Sequence, residues 1–240
     1  MELSLVIPAY NEEKVIAQTV QDALAQLSDM VDSFEILIVD DGSVDGTAEQ
    51  VRQCGDARVK LISYRPNRGK GYAVRMGMLA ARGDMVCYTD ADLAYGLQVL
   101  QPMMDLLKQE GTDVVIGSRK MDKAGYQSYP FIRLAASKCF SRLSQLVSGL
   151  PYDTQCGIKG FRRAAGQRVF SKCSTDGFAF DVEVLMIASQ LGLNIAQMPV
   201  AIVNHQDSKV HVVRDSIRIF RDMLAIRHRL YHKQKREARP

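Results

Sequence analysis

"FEILIVDDGSVDG", residues 34–46, is a near-continuous apolar run that ends on two carboxylates, Asp40 and Asp41, and then a turn. A strand without apolar/polar alternation is buried on both faces, as central strands of a parallel sheet are. The strand is expected over 34–41. Outward from it, "LSLVIPA" (3–9), "VKLISY" (59–64), "DMVCYTDAD" (84–92) and "DVVIGSR" (113–119) have the same β-rich character, with helical stretches between them. Short strands alternating with amphipathic helices predict an α/β fold, a Rossmann-like, mostly parallel sheet flanked by helices.

In such sheets ligands bind outside the carboxyl ends of the strands. Polar residues gather there: "PAYNEE" after the first strand, "DDGSVDG" after the second, "RPNRGKG" after the third and "DAD" at the end of the fourth. Four adjacent loops would then face one crevice. The second half is less regular, with an amphipathic helix over about 130–149, a strand pair near "TQCGIKGFRR", a helix near 178–191 and a strand near 194–204. The chain ends on a segment with Ile217, Phe220, Leu224 and Tyr231 at helical spacing between basic residues.

With 240 residues, 47% of them hydrophobic and 24% charged, the chain suits one sizeable folded domain, and no linker divides it. The domain is expected over 1–213, with a basic amphipathic helix and tail over 214–240. No stretch reaches the roughly 20 apolar residues of a spanning helix. Even the segment from Leu134 to Leu150 carries Lys138 and Arg142. There is no basic n-region or signal h-region after Met1, and the five cysteines form no CxxC pair or Cys/His cluster. Reduced thiols in a cytosolic protein are expected. From Arg214 onward nine Lys/Arg face three Asp/Glu, a local +6, so the net +4 leaves the first 213 residues at 4 − 6 = −2.

The turn after the first strand lacks the glycine fingerprint of a dinucleotide site, and "NRGKGYAVRMG" lacks P-loop spacing. For Lys70 two readings stay open: a glycine turn opening a helix, or a phosphate ligand. Ser43 or Asp45 can cap the following helix. Asp40 and Asp41 have no such cap to serve, and carboxylates there can accept hydrogen bonds from a uracil or a ribose. "YTDADLAY", 88–95, sets Asp90 and Asp92 one residue apart. Alone, the pair is a polar strand end. Beside a phosphate-binding crevice it offers what magnesium uses, one or two carboxylates completed by substrate phosphates.

"SLVIPAYNEE", "EILIVDDGSVDGT", "NRGKGYAVRMGM", "YTDADLAY" and "VVIGSR", in this order, resemble a family 2 glycosyltransferase with the GT-A fold. Farther on, "YPFIRLAASKCFSRLSQLVSGLPYDTQCGIKGFRR", "DGFAFDVEVL" and "VNHQDSKVH" resemble the polyprenyl-phosphate glycosyltransferases, in particular the dolichyl-phosphate β-glucosyltransferases. The resemblance implies a nucleotide-sugar donor, with UDP-glucose favoured, held by Pro8, Tyr10, Glu12, Asp40, Asp41, Lys70, Asp90 and Ala91. It implies Mg2+ or Mn2+ on Asp90 and Asp92, and catalytic roles for Asp92, Arg119 and Asp181. Arg133 and Ser137, one helical turn apart, and Lys209 would receive the phosphate of a polyprenyl carrier.

Such an acceptor phosphate has a second pKa near 6 and is largely dianionic at neutral pH, so it needs little help from a base. The chemical problem becomes one of charge, and direct displacement with inversion is expected. Asp181 should then matter less than Asp92. A hydroxyl acceptor would instead lean on Asp181 as the base. GDP-mannose could replace UDP-glucose as donor, and a catalytically inactive sugar-nucleotide sensor would carry the same donor motifs. No aromatic stacking platform accompanies the basic end, so no nucleic acid is expected as partner. A processive synthase would need a tryptophan, and the chain has none. The basic end and the 130–149 helix are expected to dock peripherally on the cytoplasmic face of a membrane, or on a membrane-protein partner.

Overall fold

The computed structural model describes residues 1–121, 142–204 and 212–237, with side chains of the last segment described over 218–232. Its elements are β1 (Leu3–Ala9), α1 (Ile16–Met30), β2 (Phe34–Asp40), α2 (Thr47–Gln53), β3 (Val59–Ser63), α3 (Lys70–Ala80), β4 (Met85–Tyr88), α4 (Leu100–Lys108) and β5 (Val114–Ser118). Then follow a helical stretch at 142–148 (α5), β6 (Lys159–Arg162), α6 (Arg163–Phe170), α7 (Phe180–Gln190), β7 (Ile195–Pro199) and α8 (Val212–Glu237). The strands form one seven-stranded sheet in the order β3-β2-β1-β4-β6-β5-β7. Only β6 runs against its neighbours, β4 and β5.

The apolar runs read in the sequence are the central strands. Every residue of β1 and β2 is buried. Successive side chains point to opposite faces. Leu5 and Ile7 accordingly join a core with α1 and α4, whereas Val6 joins a second core with α3, α6, α7 and α8. Two apolar layers explain why these strands show no alternation.

The carboxyl-terminal residues of several expected strands leave the sheet. β4 stops at Tyr88, paired with Val6, and the chain turns away through Leu93, whose φ is +48°. Asp90 and Asp92 therefore stand on a loop. The strand pair expected near "TQCGIKGFRR" is the single strand β6, which finds both its partners far away in the chain. In α8 the core-facing side chains are Met223, Ile226 and Leu230, while Leu224 and Tyr231 are exposed. Leu224 and Tyr231, of the apolar set expected on this helix, thus lie off the face that meets the core. The helix begins two residues before the expected boundary at 214, and its described part shares a core with the residues before it.

Arg133, Ser137 and Lys209 lie outside the described residues, as does most of the helix expected over 130–149. Cys54, Cys87, Cys156 and Cys173 are free thiols.

Candidate active site

β1 has β2 on one side and β4 on the other, so the chain order reverses between β1 and β4 and their carboxyl ends open the crevice at a switch point. The loops that rim it are bonded to one another. Asn11 donates its backbone N–H to Ser43 Oγ at 2.9 Å and accepts from the Val44 N–H at 2.9 Å. Glu12 donates its N–H to Thr47 Oγ1 at 2.8 Å, and Glu13 accepts from the Gly46 N–H at 2.8 Å. Asp45 accepts from the Thr47 N–H at 3.1 Å, a turn bond that leads into α2; Gly46 is the cap residue and no side chain caps the helix, so neither Ser43 nor Asp45 takes the capping role open to it.

Asp40 and Asp41, expected to meet a nucleoside, are both buried. Asp40 accepts from the Ser43 N–H (3.0 Å) and Ser63 Oγ (2.7 Å). Asp41 accepts from Tyr64 Oη and the Arg68 N–H on one oxygen, and from Asn67 Nδ2 and the Gly69 N–H on the other. Four donors fill the lone-pair capacity of a carboxylate. Both side chains shape the 63–69 loop from within, and nothing is left on Asp41 for a ligand in this conformation. Gly69, at φ +108°, takes the left-handed turn that delivers the chain into α3. Pro8 and Ala91 are buried; the Ala91 carbonyl accepts from Thr19 Oγ1 at 2.6 Å. Tyr10 is exposed on the rim.

Lys70 opens α3 and its ammonium meets Asp90. Burial pulls this ammonium down, but Asp90, Asp181 and Asp92 outweigh it and hold its pKa above the ordinary lysine value. Asp92 goes the other way: burial and then the charge of Asp90 raise its pKa, Glu12 adds to the effect, and the Ala94 N–H and Lys70 offset it only in part. The Ala94 N–H donates to Asp92 Oδ1 at 3.0 Å. Glu12, Asp90 and Asp92 thus form a locus of crowded negative charge, answered here by Lys70. No group of three or more metal-ligating side chains is found among the described residues. Two oxygen-donor carboxylates that repel each other still fit a hard divalent ion completed by phosphate oxygens.

Arg119, just beyond β5, is 3.6 Å from Asp153. Asp181 lies in the first turn of α7, buried. Its Oδ1 accepts from Tyr88 Oη at 2.6 Å and from the ammonium of Lys159, which is wholly buried in β6. Lys159 also donates to the Cys156 carbonyl at 2.6 Å. Tyr88 packs among Phe161, Phe170 and Phe180, with ring centroids 5.9 to 6.3 Å away. Burial, followed by the charge of Asp181, raises the Tyr88 pKa far above the usual phenol value.

Lys159 and Asp153 lie in the "DTQCGIKGFRR" run that carries the resemblance, but no role was expected of either. A lone lysine inside the apolar "CGIKGF" run was the available signal for Lys159, since such a residue needs a buried partner.

Residues 4–170 match the family described as Glycosyl transferase family 2. The chain belongs to that family. It is 34% identical over 243 residues to a dolichyl-phosphate beta-glucosyltransferase of Dictyostelium discoideum, covering 95% of this chain and 74% of that one. It is 33% identical over 248 residues to the Homo sapiens protein of the same name, covering 94% and 75%. Among solved structures, glucosyl-3-phosphoglycerate synthase from Mycobacterium tuberculosis, in complex with Mn2+, UDP and glucosyl-3-phosphoglycerate, superposes with a TM-score of 0.66 at 25% identity. That match covers 94% of this chain and 78% of the other. The expected GT-A architecture of family 2 is therefore the observed one.

Proposed function

We propose that this family 2 transferase moves glucose from UDP-glucose to a polyprenyl or dolichyl phosphate, with inversion, using Mg2+ or Mn2+ held by Asp90 and Asp92. The single observation that carries the choice of acceptor is the state of Asp181. Its Oδ1 is taken by Tyr88 and Lys159 in a buried network, which leaves it badly disposed to act as base on a hydroxyl. An ionised phosphate nucleophile needs no such base. The names of the relatives support the sugar and the carrier.

When bound, a divalent ion would neutralise charge on the donor diphosphate as the sugar leaves. Lys70, already drawn to Asp90, is within reach of the same phosphates and can exchange one anionic partner for another. Arg119, partnered by Asp153, stands at the β5 end as a cation for the reacting phosphates. Asp41 acts indirectly, by bracing the 64–69 loop that leads to Lys70. Arg133, Ser137 and Lys209 are proposed to receive the carrier phosphate.

The assay that tests this supplies radiolabelled UDP-glucose or GDP-mannose with polyprenyl phosphate in detergent, with and without Mg2+ or Mn2+, and counts label in the organic phase. Metal-dependent organic label from UDP-glucose is the expected result. Label from GDP-mannose alone would change the sugar, and water-soluble glucosylated product alone would favour a hydroxyl acceptor.

The body over 1–213 and the basic helix over 214–240 are proposed to sit together on the cytoplasmic face of a membrane. No helix among the described residues is long and apolar enough to cross one. Leu143 and Leu146 on α5 and Leu224 and Tyr231 on α8 are exposed, and Arg227 of α8 donates to the Leu146 and Val147 carbonyls, so the two surfaces adjoin. Exposed Arg218, Arg221 and Arg227 border them. Each such cation adds about 1 kcal/mol near anionic lipid. Flotation with anionic vesicles should carry the protein upward; a protein that stays down without a membrane-protein partner would shift the docking to that partner.

A further inference from the structure

Lys159 is the one fully buried lysine among the described residues, and no part of the reaction above uses it. Its ammonium makes two bonds, to Asp181 Oδ1 and to the Cys156 carbonyl, and lies 5.5 Å from the centre of the Tyr88 ring. Residue 157, next to that carbonyl, is a glycine packed directly on Asp90: a Cβ built there would stand 2.5 Å from Asp90 Oδ2. Asp90 Oδ1 meets Lys70 on its other side. The Asp90 carboxylate is therefore clamped between the α3 lysine and the backbone of the segment that Lys159 anchors.

We infer that Lys159 is a positioning residue for the donor site: by tying the Cys156 carbonyl to Asp181 it presses Gly157 against Asp90 and sets the orientation in which Asp90 meets the metal and the diphosphate. Three features combine in this. The lysine is too deeply buried to touch substrate. Its pairing with Asp181 compensates a charge that would otherwise be costly in the interior. The glycine is required by contact, since any side chain at 157 would displace the Asp90 carboxylate. The role explains why Asp181 sits beside the reacting centre without serving as a base. It rests on the proposed Mn2+ or Mg2+ and UDP-glucose reading.

The test measures binding rather than turnover, by calorimetric titration of UDP in the presence of Mn2+. Lys159→Met alone would strand Asp181, so the informative variant is Lys159→Met with Asp181→Asn, which removes both charges. Gly157→Ala keeps the pair and displaces Asp90 instead. Groups that orient a metal ligand typically carry about 10- to 100-fold in affinity. Both variants are expected to weaken Mn2+-dependent UDP binding by about 10-fold or more. Lys159→Arg, which keeps the charge, should recover part of it. A folded double variant, or a folded Gly157→Ala protein, that binds Mn2+ and UDP as the wild type does would overturn the positioning role and leave the donor reading standing. A wild-type protein that shows no Mn2+-dependent UDP binding would overturn both.

Discussion

At the amino-terminal edge of the sheet Glu35 is buried and fully answered: Ser4 Oγ donates at 2.7 Å, the Arg82 N–H at 2.8 Å and Lys60 at 2.5 Å. Burial alone would raise its pKa, yet these donors outweigh it and hold the carboxyl below its ordinary value. At the carboxyl edge Asp92 has one backbone N–H and two acidic neighbours, and its pKa is raised. The two edges of one sheet thus differ: a carboxylate on β2 is satisfied for stability, and one on the loop after β4 is left short of positive partners. The unsatisfied end is where a cationic ligand gains most by binding.

The largest effect should separate the two ends by activity. Asp92→Ala is expected to lower transfer by roughly 10^3-fold, the scale of losing several kcal/mol of metal-assisted charge stabilisation. Glu35→Gln should leave turnover per folded molecule near wild type. Equal losses in the organic-phase assay would erase the distinction between the ends.

Next in size is Asp181→Ala, which strands the buried Lys159 ammonium. Urea unfolding should show a loss of about 3–5 kcal/mol, the cost of breaking a buried pair from one side. A loss under about 1 kcal/mol, the range of an exposed pair, would mean that water reaches Lys159. In the folded fraction Asp181→Asn should retain more turnover than Asp92→Ala.

Glu35→Gln should cost about 2 kcal/mol near neutral pH, because charge-assisted hydrogen bonds become neutral ones. Glu35 has a lowered pKa, so its contribution is present above the unfolded value of 4.5 and is lost as pH falls through the folded one. The variant and wild-type melting temperatures should converge in acid.

The smallest effect has the opposite sign. Asp92 has a raised pKa, so its contribution is present below 3.8 and is lost as pH rises through the folded value. In the absence of divalent ions Asp92→Asn should therefore melt slightly higher than wild type near neutral pH, and the advantage should vanish in acid. A variant that melts lower would mean that Asp92 is already satisfied and would break the comparison.

The strands β1 and β2 and the loop clusters after them were legible because burial on both faces removes alternation and leaves polar residues at the strand ends. Asp90 and Asp92 were legible for the same reason, standing where an apolar run stops. Asp40 and Asp41 look alike in sequence to open ligands, yet Asn67, Tyr64 and Ser63 reach them only once β2 and β3 pair. The helical character of α8 was legible, but not that Met223, Ile226 and Leu230 would be the side covered, because an amphipathic helix with apolar residues on more than one side does not announce which side its neighbour covers.

The order of strands and helices as far as β5, the glycosyltransferase family and the acidic pair at 90 and 92 follow from the sequence alone, since local hydrophobic pattern and motif spacing carry them. The tertiary structure decided which partners each carboxylate meets. Asp181 became a partner of Lys159, 22 residues earlier, through the insertion of antiparallel β6 beside β4. Whether a charge is compensated depends on neighbours brought together across the sheet, and that information is in no single segment of the chain.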